Sequence, residues 1–200
     1  MGTRNAGKVR ELRDLLQGLG IELLSLADFP DLPEIPEEGD TFAANAGAKA
    51  REVARLTGLP ALADDSGLEV TALKGRPGVF SARYAQDLTS PALPTDGDNW
   101  RKLLTEMAGV PWEARRARFV CEIALALPDG RVFTARGECR GYIALEAKGE
   151  HGFGYDPVFF VPGHGRTMAE LEPGEKNRLS HRARALAALR EILVSLKDEL

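Results

Sequence analysis

Apolar positions in this chain fall into two rhythms, one helical and one strand-like. Val9, Leu12, Leu15, Leu16 and Leu19 recur at helical spacing and predict a helix over 8–19, with Gly18 and Gly20 near its end. Residues 21–26 predict a short strand. Residues 27–40 read as a loop, with Pro30, Pro33, Pro36 and six acidic residues from Asp28 to Asp40. Thr41 predicts the cap of an alanine-rich helix running to about residue 56. A buried strand is predicted over 60–63, a strand or short helix over 68–73 and a turn over 75–78. The polar, proline-containing stretch 86–98 predicts a flexible loop ahead of a helix over 99–107. Apolar runs 119–127 and 131–138 flank Pro128-Asp129-Gly130 and predict a hairpin. A glycine-rich segment 149–156, an apolar run 158–161 and a closing helix over about 179–196 complete the chain. Strands alternating with helices around a hairpin predict an α/β fold on a mixed central sheet.

Composition narrows the picture. The 200 residues are 44% hydrophobic, which suits one globular domain or two lobes sharing a core. The net charge of −4 and the absence of a long basic run argue against nucleic acid as a partner. No apolar run reaches membrane-spanning length and no signal-peptide pattern opens the chain, so neither a membrane nor export is expected. The two cysteines, Cys121 and Cys139, have no metal-type spacing, and a reduced cytoplasmic setting follows as the simple expectation.

Five clusters could carry chemistry, and each has a bland alternative. Asp64 and Asp65 follow an apolar run and precede Ser66-Gly67. Adjacent carboxylates need a cation or water, and Mg²⁺ is bound through such groups together with substrate phosphates. The alternative is a strand-end turn in which Asp caps backbone amides. Thr3-Arg4-Asn5-Ala6-Gly7-Lys8 precedes a helix, where free amides and the dipole suit an anion; an ordinary helix start with solvated charges reads equally simply. Glu37 could complete a metal site or belong to a solvated acidic loop, and Lys49 could reach phosphate or snorkel. Phe153-Gly154-Tyr155-Asp156 offers rings for stacking and an acceptor, or is a tight loop with its aromatics in the core. Lys176, His181 and Arg182 lie near the start of the last helix, which Ser180 could cap. Cations at that end oppose the dipole, so they meet an anion or a carbonyl-bearing base, or His181 is a structural histidine. Together the clusters contain a phosphate cradle, a metal site, a stacking loop and a base reader, and that combination implies a nucleotide.

With these residues in view, the chain resembles the inosine/xanthosine triphosphate pyrophosphatase family. The likeness rests on TRNAGK at 3–8, EEGDTFAANAGAKA at 37–50, LADDSGLEV at 62–70, GRPGVFSARYA at 75–85, GFGYDPVF at 152–159 and EKNRLSHRARAL at 175–186. It implies an elongated mixed sheet with flanking helices and two lobes around a substrate cleft, one domain over 1–200, paired as a homodimer. It implies Mg²⁺-dependent hydrolysis of ITP, dITP or XTP to the monophosphate and pyrophosphate. Thr3 to Lys8 would bind the triphosphate, with Lys49 and Arg83 near phosphates. Glu37 and Asp65 would hold Mg²⁺, Asp65 would also accept a proton, and Ser66 would touch substrate. Phe153, Gly154, Tyr155, Asp156, Lys176, His181 and Arg182 would form the purine pocket. Two departures stand out. The family's hydrophobic first strand is represented here only by Met1-Gly2, and Ala44 stands where the family often has Glu. A pyrophosphatase for pyrimidine or modified nucleotides, and a nucleotide-binding protein without catalysis, are the rival readings.

Overall fold

A computed structural model describes residues 1–3, 5–33 and 35–197. Its helices are α1 (Ala6–Leu16), α2 (Phe42–Thr57), α3 (Gln86–Thr89), α4 (Asp96–Glu106), α5 (Pro173–Leu179) and α6 (His181–Ser195). Its strands are β1 (Ala61–Val70), β2 (Arg116–Ala126), β3 (Val132–Ile143), β4 (Phe159–Val161) and β5 (Arg166–Thr167). They form one five-stranded sheet in sequential order, β1-β2-β3-β4-β5. The α/β class expected from the sequence is therefore found. β3 pairs antiparallel with β4, Tyr142 opposite Phe160, and β4 with β5, Phe160 opposite Thr167.

The chain clusters into two compact units. The first comprises Met1–Asp65, Cys121–Glu138 and His181–Leu200. One of its cores joins Leu12 and Leu16 of α1, Ile123 and Leu125 of β2, and Leu186 and Leu189 of α6. A second core is almost all alanine: Ala46, Ala50 and Ala54 of α2 meet Ala61 and Ala63 of β1 and Ala124 and Ala126 of β2. Small side chains on both surfaces let α2 approach the sheet closely, which brings its polar residues to β1. The second unit comprises Ser66–Val120 and Cys139–Ser180. Its core gathers Leu68, Leu103, Met107, Phe119, Val158 and Phe159, each burial contributing roughly 2 kcal/mol. Arg115, 3% exposed, is buried there with no carboxylate partner among the described residues; its guanidinium donates to the carbonyls of Met107, Val110, Ile143 and Ala144.

Several expected elements change. The strand expected over 21–26 is absent: that stretch is irregular, followed by a 3₁₀ turn at Leu26–Asp28. It receives single bonds, from the Met1 ammonium to the Leu24 carbonyl at 2.6 Å and from Arg13 to the Leu23 carbonyl, rather than a ladder. The segments expected over 60–63 and 68–73 are joined through the acids: β1 runs unbroken over ten residues to Val70, and Thr71–Leu73 follow as a 3₁₀ helix, so Asp64 to Gly67 lie within a strand and not in a turn. The stretch 86–98 is not a plain loop. It contains α3, and α4 starts at Asp96 because Thr95 and Asp98 form a capping box. The closing helix expected over about 179–196 is α6, His181–Ser195, and a short unexpected helix, α5, precedes it. The hairpin forms as expected; Gly130 adopts φ 94°, and the Leu127 amide donates to the Arg131 carbonyl at 2.9 Å.

Candidate active site

β1 explains how adjacent acids can differ. Successive strand side chains point to opposite faces. Asp64 shares its parity with Leu62, which packs with α1 and α6; Asp65 shares its parity with Ala61 and Ala63, which pack against α2.

Asp64 is 0% exposed. Its Oδ2 accepts from Lys8 Nζ at 3.1 Å, from Arg182 Nη2 at 3.1 Å and from Arg182 Nε at 3.3 Å. Burial alone would raise its pKa; the charges of Lys8, Arg182 and Lys49 outweigh burial and hold the carboxylate well below its ordinary range. The Cys121 thiol lies 3.9 Å from the same oxygen, and burial and that neighbouring charge push its pKa up.

Asp65 behaves in the opposite sense. Burial raises its pKa and the negative charge of Glu37 raises it further, against a lowering hydrogen bond from Asn45. Asn45 Nδ2 donates to Asp65 Oδ2 at 2.9 Å, while its Oδ1 accepts from the Gly39 amide at 2.8 Å. Thr41 caps α2 by accepting from the Ala44 amide, and this start places Asn45 and Lys49 one turn apart on the face toward β1. Lys49, 6% exposed, pairs with Glu37 and donates to the Asp64 carbonyl at 3.1 Å.

Among the described residues no group of three or more His, Cys, Asp or Glu gathers as a metal site. Glu37 and Asp65 nevertheless suit a hard ion that takes its remaining oxygens from phosphate. Burial and Glu37 raise the Asp65 pKa, and a cation beside it would favour its charged form.

At the chain start, Asn5 caps α1, its Oδ1 accepting from the Gly7 and Lys8 amides at 2.9 and 3.1 Å. Two of the amides expected to face an anion are thus satisfied by a side chain. Thr3 Oγ1 accepts from the Asn5 amide, and Ala6 and Gly7 open α1. Arg4 lies outside the described residues. In the first turn of α6, His181 is buried and Arg182 is 1% exposed, its guanidinium closed between Asp64 and Glu11.

The other candidates form a cluster in the second unit. Lys176 Nζ donates to Asp156 Oδ2 at 2.6 Å and sits 4.6 Å from the centroid of the half-buried Phe153 ring. The Phe153 amide donates to the same carboxylate oxygen at 3.0 Å, closing a tight loop. The Gly154 amide donates to Asp96 at 2.7 Å. Tyr155 is a core residue, 5% exposed, with its hydroxyl donating to the Ser81 carbonyl at 2.8 Å. Ser66 is half-buried in β1, and Arg83 lies over the Phe80 ring.

Sequence reading overlooked Asn45. Its signal was a polar residue at helical spacing among the buried alanines of α2. Glu11 is the second carboxylate around Arg182, a pairing across the chain that no local pattern marks.

Comparison with known proteins agrees across nearly the full length. The profile of the Ham1 family matches residues 1–192. A dITP/XTP pyrophosphatase of Geobacter sulfurreducens is 53% identical over 193 residues, covering 96% of this chain and 94% of its own. One from Geobacillus kaustophilus is 52% identical, covering 96% and 91%. A solved HAM1 protein structure from Coxiella burnetii superposes with a TM-score of 0.84 at 44% identity, covering 96% of each chain. The chain belongs to the Ham1 family.

Proposed function

We propose that this protein hydrolyses noncanonical purine nucleoside triphosphates (ITP, dITP and XTP) to the monophosphate and pyrophosphate. The observation that carries the reading is the cluster on β1 and α2. A carboxylate with a raised pKa, Asp65, is oriented by Asn45 and lies beside a second carboxylate, Glu37, that is paired with a buried lysine. The dITP/XTP pyrophosphatases that resemble the chain at about half identity support the same activity.

In this reading Lys8 and Lys49 offset phosphate charge, together with Thr3 and the Asn5–Gly7 turn. Glu37 and Asp65 would hold Mg²⁺, which would supply charge neutralisation on the phosphoryl oxygens. Asp65 takes a proton from water as the water oxygen bonds to the α-phosphorus. The bond from that phosphorus to the bridging oxygen breaks, and pyrophosphate leaves. A raised pKa makes Asp65 a better base than an ordinary aspartate. Lysines already seated need no reordering as charge builds on the leaving group. Ser66 is proposed to touch substrate.

Purine recognition is proposed for His181 and for the Phe153–Asp156 and Lys176 cluster, with Tyr155 and Asp156 shaping that cluster from its buried side. A 6-carbonyl accepts from a donor such as His181, whereas the 6-amino group of adenine would face donor with donor, a mismatch of roughly 1–3 kcal/mol when buried. Replacement of Phe153 by alanine tests the stacking role, with KM as the readout.

A cytoplasmic setting is proposed with this function, supported by two buried cysteines that are thiols and not a disulfide. Among the described residues no helix is long and apolar enough to cross a membrane. A homodimer is proposed as well, supported by the exposed Leu88, Leu93 and Phe80; light scattering on the purified chain tests it. The test of function is release of pyrophosphate, rather than orthophosphate, from ITP.

A further inference from the structure

Asp64 is the meeting point of three cations from three helices. Lys8 of α1 and Arg182 of α6 both reach its Oδ2, and Lys49 of α2 reaches its backbone carbonyl. Arg182 in turn bonds Glu11 of α1, so α1 and α6 are tied twice through one guanidinium. Three N–H groups converge on a single carboxylate oxygen with no solvent exposure. That is the geometry of a counter-ion buried among cations. Asp65, of opposite parity on the strand, accepts from Asn45 and feels the charge of Glu37 as well as those of Lys8 and Lys49.

We infer that Asp64 is a positioning residue: it neither binds metal nor takes a proton, and it holds Lys8 in place for the substrate's phosphates while locking Arg182 behind it. The inference rests on the proposed reading of Lys8 as a phosphate contact. The physical reason is ordering. A free lysine side chain is rich in rotamers, and a buried carboxylate at 3.1 Å removes most of that freedom before substrate arrives. Asp64 also keeps Lys8, Lys49 and Arg182 from repelling one another when no phosphate is present. The adjacent aspartates thus divide the work, Asp65 toward the reacting water and Asp64 toward the cations.

The test is a double-mutant cycle on the full chain with Asp64→Asn and Lys8→Met, read as kcat/KM for pyrophosphate release from ITP and as the Mg²⁺ concentration giving half-maximal rate. Each single variant is expected to lower kcat/KM roughly 10²-fold, the loss typical of a misplaced group. The double variant is expected to lie within about threefold of Lys8→Met, because Asp64 acts through Lys8. The Mg²⁺ half-saturation of Asp64→Asn is expected to match wild type. Losses that multiply to roughly 10⁴ in the double variant, or a shifted Mg²⁺ half-saturation, overturn the positioning role. Wild-type kcat/KM in Lys8→Met overturns the phosphate-site reading itself, a separate and recognisable failure. If Asp64→Asn does not fold, the double variant, which removes one charge of each sign, is compared with Lys8→Met alone. Equal activities support the inference, and a further large loss overturns it.

Discussion

Gly137 is where β3 meets α6, and alanine there is predicted to damage stability and catalysis together. A Cβ at Gly137 would lie 2.1 Å from the His181 carbonyl oxygen and 2.3 Å from the Ala185 amide nitrogen. Both are backbone atoms of α6, so no side chain can rotate away. Contacts under 3.0 Å are not sustained by real Cβ atoms, so α6 must retreat by the difference between 2.1 and 3.0 Å. Arg182 sits one residue into that helix, with bonds to Asp64 of 3.1 and 3.3 Å. A retreat of that size carries them past the ~3.5 Å limit of a useful hydrogen bond. Overpacking contributes about 1–3 kcal/mol and loosening of a buried ion pair adds to it, for a predicted loss of roughly 3 kcal/mol. In a chain of this length that lowers Tm by roughly 6–12 °C. Because His181 and Arg182 move with the helix, kcat/KM for ITP is predicted to fall roughly 10²-fold. The assay is thermal unfolding beside steady-state pyrophosphate release, with Gly174→Ala as control. Nothing lies within 4 Å of a Cβ at Gly174, so that change is predicted to stay within about 0.5 kcal/mol of wild type. A Gly137→Ala protein with wild-type Tm and wild-type kcat/KM would refute the packing argument.

Two further predictions concern Asp65. Its folded pKa is raised above the ordinary 3.8 by burial and by Glu37, so the favourable state is the protonated one, present below the unfolded pKa and lost as pH rises through the folded value. At neutral pH the charged group therefore destabilises the metal-free fold. Asp65→Asn is predicted to raise Tm at pH 7 without metal, with the gain shrinking toward pH 4, while turnover falls roughly 10²–10⁴-fold; unfolding scans across pH check the sign, and a lower Tm at pH 7 contradicts it. Asn45→Ala removes a hydrogen bond that lowers the Asp65 pKa, so the acid limb of the pH–rate profile is predicted to move to higher pH. An unmoved limb would mean that Asp65 is not the group that titrates there.

The residues show why part of the molecule was legible and part was not. The α1 and α2 helices and the β2–β3 hairpin were readable because caps, periodicity and turn residues all agree locally: Thr41 at α2, Pro128-Asp129-Gly130 at the hairpin. The capping box of α4 was equally local, but Thr95 and Asp98 were obscured by the prolines before them. The 21–26 stretch has strand-like composition, yet a strand needs a ladder partner, and partners are not a local property. β1 ran on through Asp64 and Asp65 because Lys8 and Arg182, 56 residues before and 118 after, neutralise the inward acid. Charge compensation over such separations has no local pattern. The same reason hid Asn45, whose partner is 20 residues away. Tyr155 and Arg182 carry motif positions associated with a base, while their side chains are the core and the ion-pair members of the fold.

The central claim is tested most directly by incubating the purified chain with Mg²⁺ and, separately, ITP, XTP, ATP and GTP, and quantifying pyrophosphate and orthophosphate. The account predicts stoichiometric pyrophosphate and monophosphate from ITP and XTP, with kcat/KM for ITP at least roughly tenfold above that for ATP, as a mismatched buried donor implies. Orthophosphate as the product, or equal turnover of ATP and ITP, would contradict it.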